Sequence, residues 1–304
     1  MAASKLDFQP VMLSDRDTLQ SFFANAPFRN CDFSFANIFC WKHVYNTTFA
    51  VENHTLYIRF QVEEGTPGYL FPLGWENLQQ ALQRVAADAE ARNMPVKLYA
   101  VTREMFNLIE ETAPGIYSYH PNRAWSEYIY RADSLISLAG KKLQAKRNHV
   151  NRFSRTYKWE YMPITRKIIP DCLKLYRRWC AENGGCDTDE SLVEECKATH
   201  SAFQNFEQLH LTGGAISING EVIAYSYGQP LGKDTFGIHA EKSLYEIEGG
   251  FSMINRQFAE HNCKQYTYIN REEDLGLESL RKAKLSYLPE ILLEKGTVQQ
   301  TPKA

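Results

Sequence analysis

The order of secondary-structure elements predicted from this sequence repeats, and the repeat restricts the folds that the chain can adopt. Each half reads as a hairpin of two strands, a third strand, a helix, a strand, a second helix and a final strand. The two halves share no visible sequence similarity, so the repetition lies in the order alone. This order predicts an α/β (α+β) protein of two modules, each with a mixed, mainly antiparallel sheet flanked by helices.

The C-terminal copy has the clearer signals. Two β-rich runs, residues 215–218 and 222–227, flank Asn219-Gly220, a dipeptide that tolerates the positive φ angles of a tight hairpin turn. A helix that follows Gly249-Gly250 is predicted from apolar residues at helical spacing. The predicted elements after the hairpin are strand 235–239, helix 251–261, strand 265–269, helix 277–287 and strand 290–293.

The N-terminal copy is predicted from the same kinds of signal. A separate helix at residues 33–41 is expected to begin after Asp32, whose side chain can cap it. We place one module at residues 1–138, and a basic connecting helix plus the second module at residues 139–304. The predicted elements of the first copy are strands 48–51, 55–62 and 68–71, helix 78–93, strand 96–101, helix 103–111 and closing strand 126–130.

Composition and cysteine usage are those of a reduced, globular protein. The 304 residues are 44% hydrophobic and 23% charged, and a chain of this length can bury a core in each module without disulfides or metals. The N-terminal residues lack the apolar core of a signal peptide, and no apolar run is long enough to span a bilayer. The seven cysteines lack metal-ligand spacing, and Cys186 alone, in a predicted turn, could be reactive. We therefore predict a cytoplasmic protein without a metal site.

Residues 141–158 form a strongly basic segment that carries seven lysines and arginines and no acid. As a helix, it would bury one apolar stripe that includes Val150 and Phe153 and expose the cations elsewhere. The segment is either a solvated linker helix whose cations pair with acids of both modules, or a surface that binds a polyanion. The residues predicted to contact RNA or phosphate are Lys141, Lys142, Lys146, Arg147 and Arg152.

Several motifs of unusual composition closely resemble one protein family. They are Asp32-Phe-Ser-Phe-Ala-Asn37 with Trp41, residues 138–153, His239-Ala-Glu-Lys242, Asn270-Arg-Glu-Glu-Asp-Leu-Gly276, residues 280–284 and Pro289. The chain resembles, over nearly its whole length, stand-alone bacterial proteins related to the C-terminal catalytic domain of phosphatidylglycerol lysyltransferases. The resemblance implies two tandem GNAT-type acyltransferase folds.

Relatives of this kind, which include the Fem-type peptidoglycan transferases, move an aminoacyl group from charged tRNA to a lipid or peptide acceptor. The resemblance therefore implies no metal or redox cofactor, and acyl-CoA or aminoacyl-tRNA as a co-substrate. The acceptor would be a small molecule, a peptide or a lipid headgroup. The chain lacks the membrane-spanning half of the lysyltransferases, which weighs against a lipid.

In a GNAT-type module, the strands before and after the main helix part and leave backbone groups that can hold a carbonyl and its oxyanion. Here these strands would be residues 235–240 and 265–269, and the helix after Gly249-Gly250 would direct its N–H groups at a phosphate. The loop before that helix carries Glu246 and Glu248, which would repel the pyrophosphate of CoA. The loop therefore favours another donor.

Side chains at the ends of these strands are the predicted catalytic residues. Glu241 and Asp274 are the general-base hypotheses, and Asn270 would orient the acceptor or the carbonyl. The structural alternatives are a histidine and two tyrosines that serve packing, and acids at residues 272–274 that lie in the first turn of a helix. The residues predicted to bind substrate are His239, Tyr225, Tyr227, Gly249, Gly250, Arg281 and Lys284.

The sequence thus predicts an acyl or aminoacyl transferase that acts on an amine or a hydroxyl, with aminoacyl-tRNA as the preferred donor. An acyl-CoA-dependent N-acetyltransferase is the alternative within the same class. A non-catalytic RNA-binding protein that retains the fold and the basic segment is the alternative from another class.

Overall fold

The structure is a computed structural model that describes residues 5–63, 66–185 and 190–301. Cys186 lies outside the described residues. The chain divides into two compact units. The N-terminal unit comprises residues up to 127, residues 273–278 and residues from 292 onward, and the C-terminal unit comprises residues 128–272 and 279–291. This division differs from the predicted boundary at 138/139, because residues 128–138 belong to the C-terminal unit and two later segments return to the N-terminal unit.

The helices and strands follow the predicted order closely. Up to residue 131 they are β1 (Gln9–Pro10), α1 (Arg16–Asn25), α2 (Phe35–Tyr45), β2 (Thr48–Glu52), β3 (Thr55–Glu63), β4 (Thr66–Tyr69), α3 (Leu78–Ala91), β5 (Lys97–Thr102), α4 (Arg103–Thr112), β6 (Tyr117–Pro121) and β7 (Glu127–Arg131). Those that follow are α5 (Ala132–Ser137), α6 (Gln144–Thr156), β8 (Trp159–Pro163), α7 (Ile169–Glu182), α8 (Glu190–Gln204), β9 (Thr212–Ile218), β10 (Glu221–Leu231), β11 (Thr235–Ser243), α9 (Gly250–Asn262), β12 (Tyr268–Glu273), α10 (Glu278–Leu285), β13 (Ile291–Leu293) and β14 (Lys295–Gln300).

The strands form two sheets of seven. The first has the order β1-β2-β3-β4-β5-β14-β6, and the second has the order β13-β7-β12-β11-β10-β9-β8. Parallel pairing joins β4 to β5 and β11 to β12, whereas pairs such as β2 with β3 and β9 with β10 are antiparallel. The predicted class, with two mixed and mainly antiparallel sheets flanked by helices, is confirmed. Among the helices of the described residues, none combines the length and the apolar character needed to cross a bilayer.

Two predicted element boundaries were wrong for local reasons. The helix predicted at residues 33–41 is α2, and its cap is Ser34, whose hydroxyl accepts the N–H of Asn37 at 3.2 Å. Asp32 is not the cap, since its carboxylate accepts from the Lys295 ammonium at 2.7 Å. The strand predicted at 265–269 starts only at Tyr268, because a turn closed by the N–H of Tyr266 precedes it.

The closing strand of the first copy lies in the other sheet, whereas the closing strand predicted at 290–293 forms as β13 in the second sheet. The strand predicted at 126–130 forms as β7, but it lies in the second sheet between β13 and β12. The first sheet is completed instead by β14, which pairs antiparallel with β5 and β6. A local pattern of alternating residues identifies a strand but does not identify its neighbour. The sequence analysis had not assigned β14, nor the helices α7 and α8.

A buried cluster of charges joins four separate segments of the N-terminal unit. The Lys295 ammonium lies 2.7 Å from Asp32, 2.5 Å from Glu127 and 2.5 Å from Glu273. The side chains of Lys295 and Glu127 are 1% and 0% exposed. The donor atoms of Cys31 and the three acids all lie within 4.8 Å of one another, close enough to hold a metal ion. In the structure, the ammonium is the cation that faces these carboxylates.

One ammonium does not neutralise three carboxylates in this cluster. The Glu127 carboxylate is also shielded from water, and this burial raises its pKa to about 7. Lys295 acts in the opposite direction, and the neighbouring Glu273 and Asp32 carboxylates add to the rise. A carboxyl with this pKa holds its proton more tightly in the folded chain than in the unfolded one.

Glu127→Gln should flatten the pH dependence of stability. Because the pKa of Glu127 rises from 4.5 to about 7 on folding, its contribution is fully present at low pH and is lost between these values. The free energy of unfolding should fall across this window by up to about 1.4 kcal/mol per pH unit. Urea unfolding at several pH values within the window measures the slope. Glu111→Gln, at an exposed position, is the control, and an unchanged slope in Glu127→Gln would contradict the prediction.

Candidate functional site

The candidate site lies in the C-terminal unit, where strands β11 and β12 part. The two strands pair in parallel at three positions, Thr235 with Tyr268, Phe236 with Ile269 and Gly237 with Asn270. β11 then continues to Ser243 and β12 to Glu273, with no further pairing between these described stretches. The parting expected from the sequence is present. We call residues 238–243 of β11 and residues 271–272 of β12, all within the C-terminal unit, the fork.

A β-bulge lies at the start of the fork. β10 pairs Tyr227 with Ala240 but Gly228 with Ile238, so His239 is the extra residue on β11. A side chain on Gly228 could not be accommodated, because its Cβ would lie 1.9 Å from the Gly237 carbonyl oxygen. Bulges of this kind bend a strand and redirect a side chain, and they recur beside active sites.

A buried ion pair spans the fork. Arg271 of β12 donates to Glu241 of β11 at 2.8 Å, and their side chains are 12% and 10% exposed. The second carboxylate oxygen of Glu241 accepts from the Asn255 amide at 3.1 Å. Both oxygens of this predicted general base are therefore already engaged, one by Arg271 and the other by Asn255.

Two aromatic rings lie against the guanidinium of Arg271, and a lysine supports its backbone. Its central carbon lies 4.9 Å from the Tyr287 ring centre and 5.7 Å from that of Tyr130. Burial opposes the charge of Arg271, but Glu241 and the two tyrosines outweigh it, and the pKa is raised. The Nη1 atom is buried without a hydrogen-bond partner. The Lys284 ammonium donates to the Arg271 carbonyl, so this predicted substrate-binding residue supports the backbone of Arg271.

A second pair of side chains joins the strands at the bulge. His239 Nδ1 lies 2.8 Å from a carboxylate oxygen of Glu272. Glu272 has a φ of 57°, in the left-handed region that costs most residues energy. Its N–H donates to the Asn270 side-chain oxygen at 2.8 Å, and Asn270 is fully buried. The predicted residues His239 and Asn270 are therefore linked through Glu272.

The basic segment is only partly helical. Lys141 and Lys142 lie in an exposed turn before α6. Lys146 is half-buried with its ammonium 4.3 Å from the Tyr287 ring centre, and burial, followed by the charge of Arg271, lowers its pKa. Arg147 donates to the carbonyls of residues 138 and 140. Arg152 pairs with Glu248 at 2.6 Å on the exposed surface.

The loop before α9 carries its acids in ion pairs. Glu246 pairs with Arg178, and Glu248 pairs with Arg152. Gly249 has a φ of 84° and precedes the helix, which begins at Gly250. A Cβ on Gly250 would lie 2.2 Å from the Ser243 hydroxyl oxygen. These two glycines therefore meet conformational and packing requirements of the helix start.

The remaining predicted residues have other surroundings. Tyr225 and Tyr227 are buried, and both rings contact Phe203, which favours the packing alternative. Arg281 is partly exposed on α10. Asp274 belongs to the N-terminal unit, where it is fully buried and accepts from Arg123 at 3.2 Å and from the N–H of Gly276 at 2.9 Å.

Three residues of the candidate site, two in the fork and one on α9, were not predicted from the sequence. Arg271 and Glu272 stand beside the predicted Asn270, and Asn255 lies on the buried face of α9. The alternative that placed residues 272–274 in the first turn of a helix is wrong, because α10 begins only at Glu278. The available signal was an arginine in a strand directly after a predicted catalytic asparagine.

Known proteins agree with this architecture. The profile of the family described as "Phosphatidylglycerol lysyltransferase, C-terminal" matches residues 23–296. The chain belongs to this family. The expected fold is confirmed, and the family is named for a lysyltransferase, an enzyme of the expected acyltransferase class.

A structure similar over nearly the whole chain is that of a conserved protein of unknown function from Bacteroides thetaiotaomicron. It is 41% identical with a TM-score of 0.93, and the match covers 97% of this chain and 100% of that one. L-PGS from Bacillus licheniformis shares the fold at 14% identity and a TM-score of 0.65, over 95% and 92% of the two chains. An uncharacterized protein from Mycoplasmoides gallisepticum is 24% identical over 57% of this chain, which spans only 56% of that relative.

Arg271→Met should destabilise the protein strongly. The change leaves Glu241 buried without its cation, a loss of about 3–5 kcal/mol in the free energy of unfolding. The double variant Arg271→Met/Glu241→Met removes both charges and should recover most of that loss. Urea unfolding measures all three proteins.

Arg166→Met is the matched control for this comparison. Arg166 forms an exposed ion pair with Glu207 in the same unit, so its loss should cost less than about 1 kcal/mol. Equal effects of Arg271→Met and Arg166→Met would contradict the role assigned to the buried pair.

Proposed function

We propose that this protein transfers an aminoacyl group from aminoacyl-tRNA to an amine or hydroxyl acceptor. The observation that carries the proposal is the fork, in a chain that belongs to the lysyltransferase family. Parted strands present backbone groups that are not used in the sheet. Such groups can hold an ester carbonyl and stabilise the oxyanion that forms when a nucleophile attacks it.

The reaction balances without a further reactant. The acceptor nitrogen or oxygen forms a bond to the ester carbon, and the acceptor loses a proton to a base. The tetrahedral intermediate then collapses, the bond to the ribose oxygen of tRNA breaks, and that oxygen takes up a proton.

The surroundings of α9 support tRNA over CoA as the donor. A pyrophosphate at the start of this helix would approach Glu246 and Glu248, and the cations beside these acids are already paired with them. Because each of these acids balances the charge of its arginine, the loop has no excess positive charge that could attract a pyrophosphate. In contrast, Lys141 and Lys142 are exposed in the basic segment, and neither forms an ion pair with an acid of the described residues.

The donor is tested with purified protein and a pool of tRNAs charged with labelled amino acids, with and without a small-molecule extract. The expected result is loss of label from tRNA that accelerates with the acceptor and appears in a new product. Acetyl-CoA should neither raise the melting temperature nor be consumed. Stabilisation and turnover by acetyl-CoA would favour the N-acetyltransferase, and RNA binding without any turnover would favour the RNA-binding protein.

Lys141→Glu/Lys142→Glu should weaken tRNA binding and reduce its salt dependence. If both lysines contact phosphates, their loss should lower the slope of log K against log salt by about 1.5. Filter binding at several salt concentrations measures both quantities. Lys167→Glu/Lys174→Glu makes the same change in net charge at two exposed positions outside the basic segment and should have a smaller effect. Equal effects of the two double variants would remove the basic segment from the proposal.

A further inference from the structure

His239 lies where the geometry of the fork changes. It is the extra residue of the bulge opposite Tyr227 and Gly228, and the parallel pairing of β11 with β12 ends two residues before it. Its side chain is 5% exposed. A titratable ring in this place lies next to the backbone groups that would hold the carbonyl, and it is largely shielded from bulk water.

The Glu272 carboxylate orients the imidazole. An ionised carboxylate only accepts hydrogen bonds, so the contact of 2.8 Å requires that His239 Nδ1 carries the proton. The lone pair of the neutral ring then lies on Nε2. A carboxylate at Nδ1 also stabilises the imidazolium that forms when Nε2 takes a proton.

The residue that orients the His239 ring, Glu272, has a strained backbone conformation. A glutamate at a φ of 57° is at a conformational disadvantage, and such strain persists only where the surroundings impose it. Here the Glu272 N–H donates a hydrogen bond to the buried side chain of Asn270, and this bond holds the left-handed backbone in place. Asn270 therefore sets the backbone of Glu272, and Glu272 sets the orientation of the His239 ring.

The comparison with Glu241 decides between the two bases. Both oxygens of Glu241 are engaged, one by Arg271 and the other by Asn255. A base must take up a proton during the reaction. Glu241 could do so only by giving up one of these two contacts, whereas His239 keeps its contact with Glu272 when Nε2 takes the proton.

We propose that His239 is the general base and acid of the transfer, with Glu272 and Asn270 as positioning residues. This inference rests on the proposed function. Nε2 takes the proton of the acceptor amine or hydroxyl as the bond to the carbonyl carbon forms. The imidazolium then gives that proton to the ribose oxygen as the ester bond breaks, which returns the ring to its neutral form.

Variants test the assignment through turnover. His239→Gln should lower kcat by about 10²–10⁴-fold and leave tRNA affinity unchanged, and added imidazole should restore part of the activity of His239→Ala. His261→Gln is the matched control, since that exposed histidine stacks on Tyr161 outside the fork. Wild-type kcat in His239→Gln, in a preparation whose wild type turns over, would overturn the base assignment and leave the transferase proposal intact.

The positioning roles have their own readout. Glu272→Gln and Asn270→Ala should each lower kcat with KM unchanged, and the double variant should be no slower than the more damaged single one, because the residues act as one unit. Additive losses would overturn this linkage. Histidine side-chain NMR provides a test without turnover, since His239 should be protonated on Nδ1 in the wild type and lose that preference in Glu272→Gln.

Failure of the two proposals can be told apart. If wild-type protein turns over no charged tRNA, the transferase proposal fails and the base role fails with it, but the NMR result still decides whether Glu272 sets the ring. Protonation of His239 on Nε2 would overturn the orientation in either case. Activity in the wild type with the Nδ1 tautomer and a slow His239→Gln supports both proposals.

Discussion

The buried pair of Arg271 and Glu241 is the constraint on which the candidate site depends. Where β11 and β12 part, the backbone hydrogen bonds of a continuous sheet are lost, and side chains must join the strands instead. The ion pair does this with both partners nearly buried, and removal of either partner alone would leave an isolated buried charge. The aromatic rings of Tyr130 and Tyr287 and the ammonium of Lys284 hold the arginine from other sides. The same pair that stabilises the fork also engages Glu241, one of whose oxygens accepts from Arg271 and the other from Asn255.

Charge distribution separates the two donors more clearly than the fold does. A GNAT-like module presents a helix N-terminus to a phosphate in either case, so α9 alone does not choose between CoA and tRNA. Near that helix, each described acid of the loop is matched by one arginine, which leaves no surplus for a pyrophosphate. The excess positive charge lies in the basic segment, where Lys141 and Lys142 are exposed. A long polyanion can use charges that lie along a segment, whereas a compact cofactor needs them at one point.

Local order could be predicted from the sequence, but partners across the chain could not. The hairpin at Asn219-Gly220 and helices such as α3 and α9 follow from periodicity and turn residues, and they formed within a few residues of prediction. Strand β7 was also identified, but the sheet to which it belongs was not. The residue patterns of β7 and β14 do not distinguish them, and only their neighbouring strands differ. The site shows the same limit. His239 and Asn270 were selected for their positions at strand ends, but their connection runs through Glu272, whose left-handed backbone no periodic pattern indicates.

Neighbouring residues of the motif at 270–274 contact different parts of the protein. Asn270 and Glu272 act in the C-terminal unit, whereas Glu273 contacts Lys295 and Asp274 contacts Arg123 in the N-terminal unit. The left-handed turn at Glu272 makes this division feasible, because it breaks the alternation of a strand and sends successive carboxylates to different partners. The four acidic or amide side chains among residues 270–274 therefore do not form one acidic site. A motif of this composition combines a proton-transfer pair with structural ion pairs, and only the contacts of each carboxylate distinguish the two.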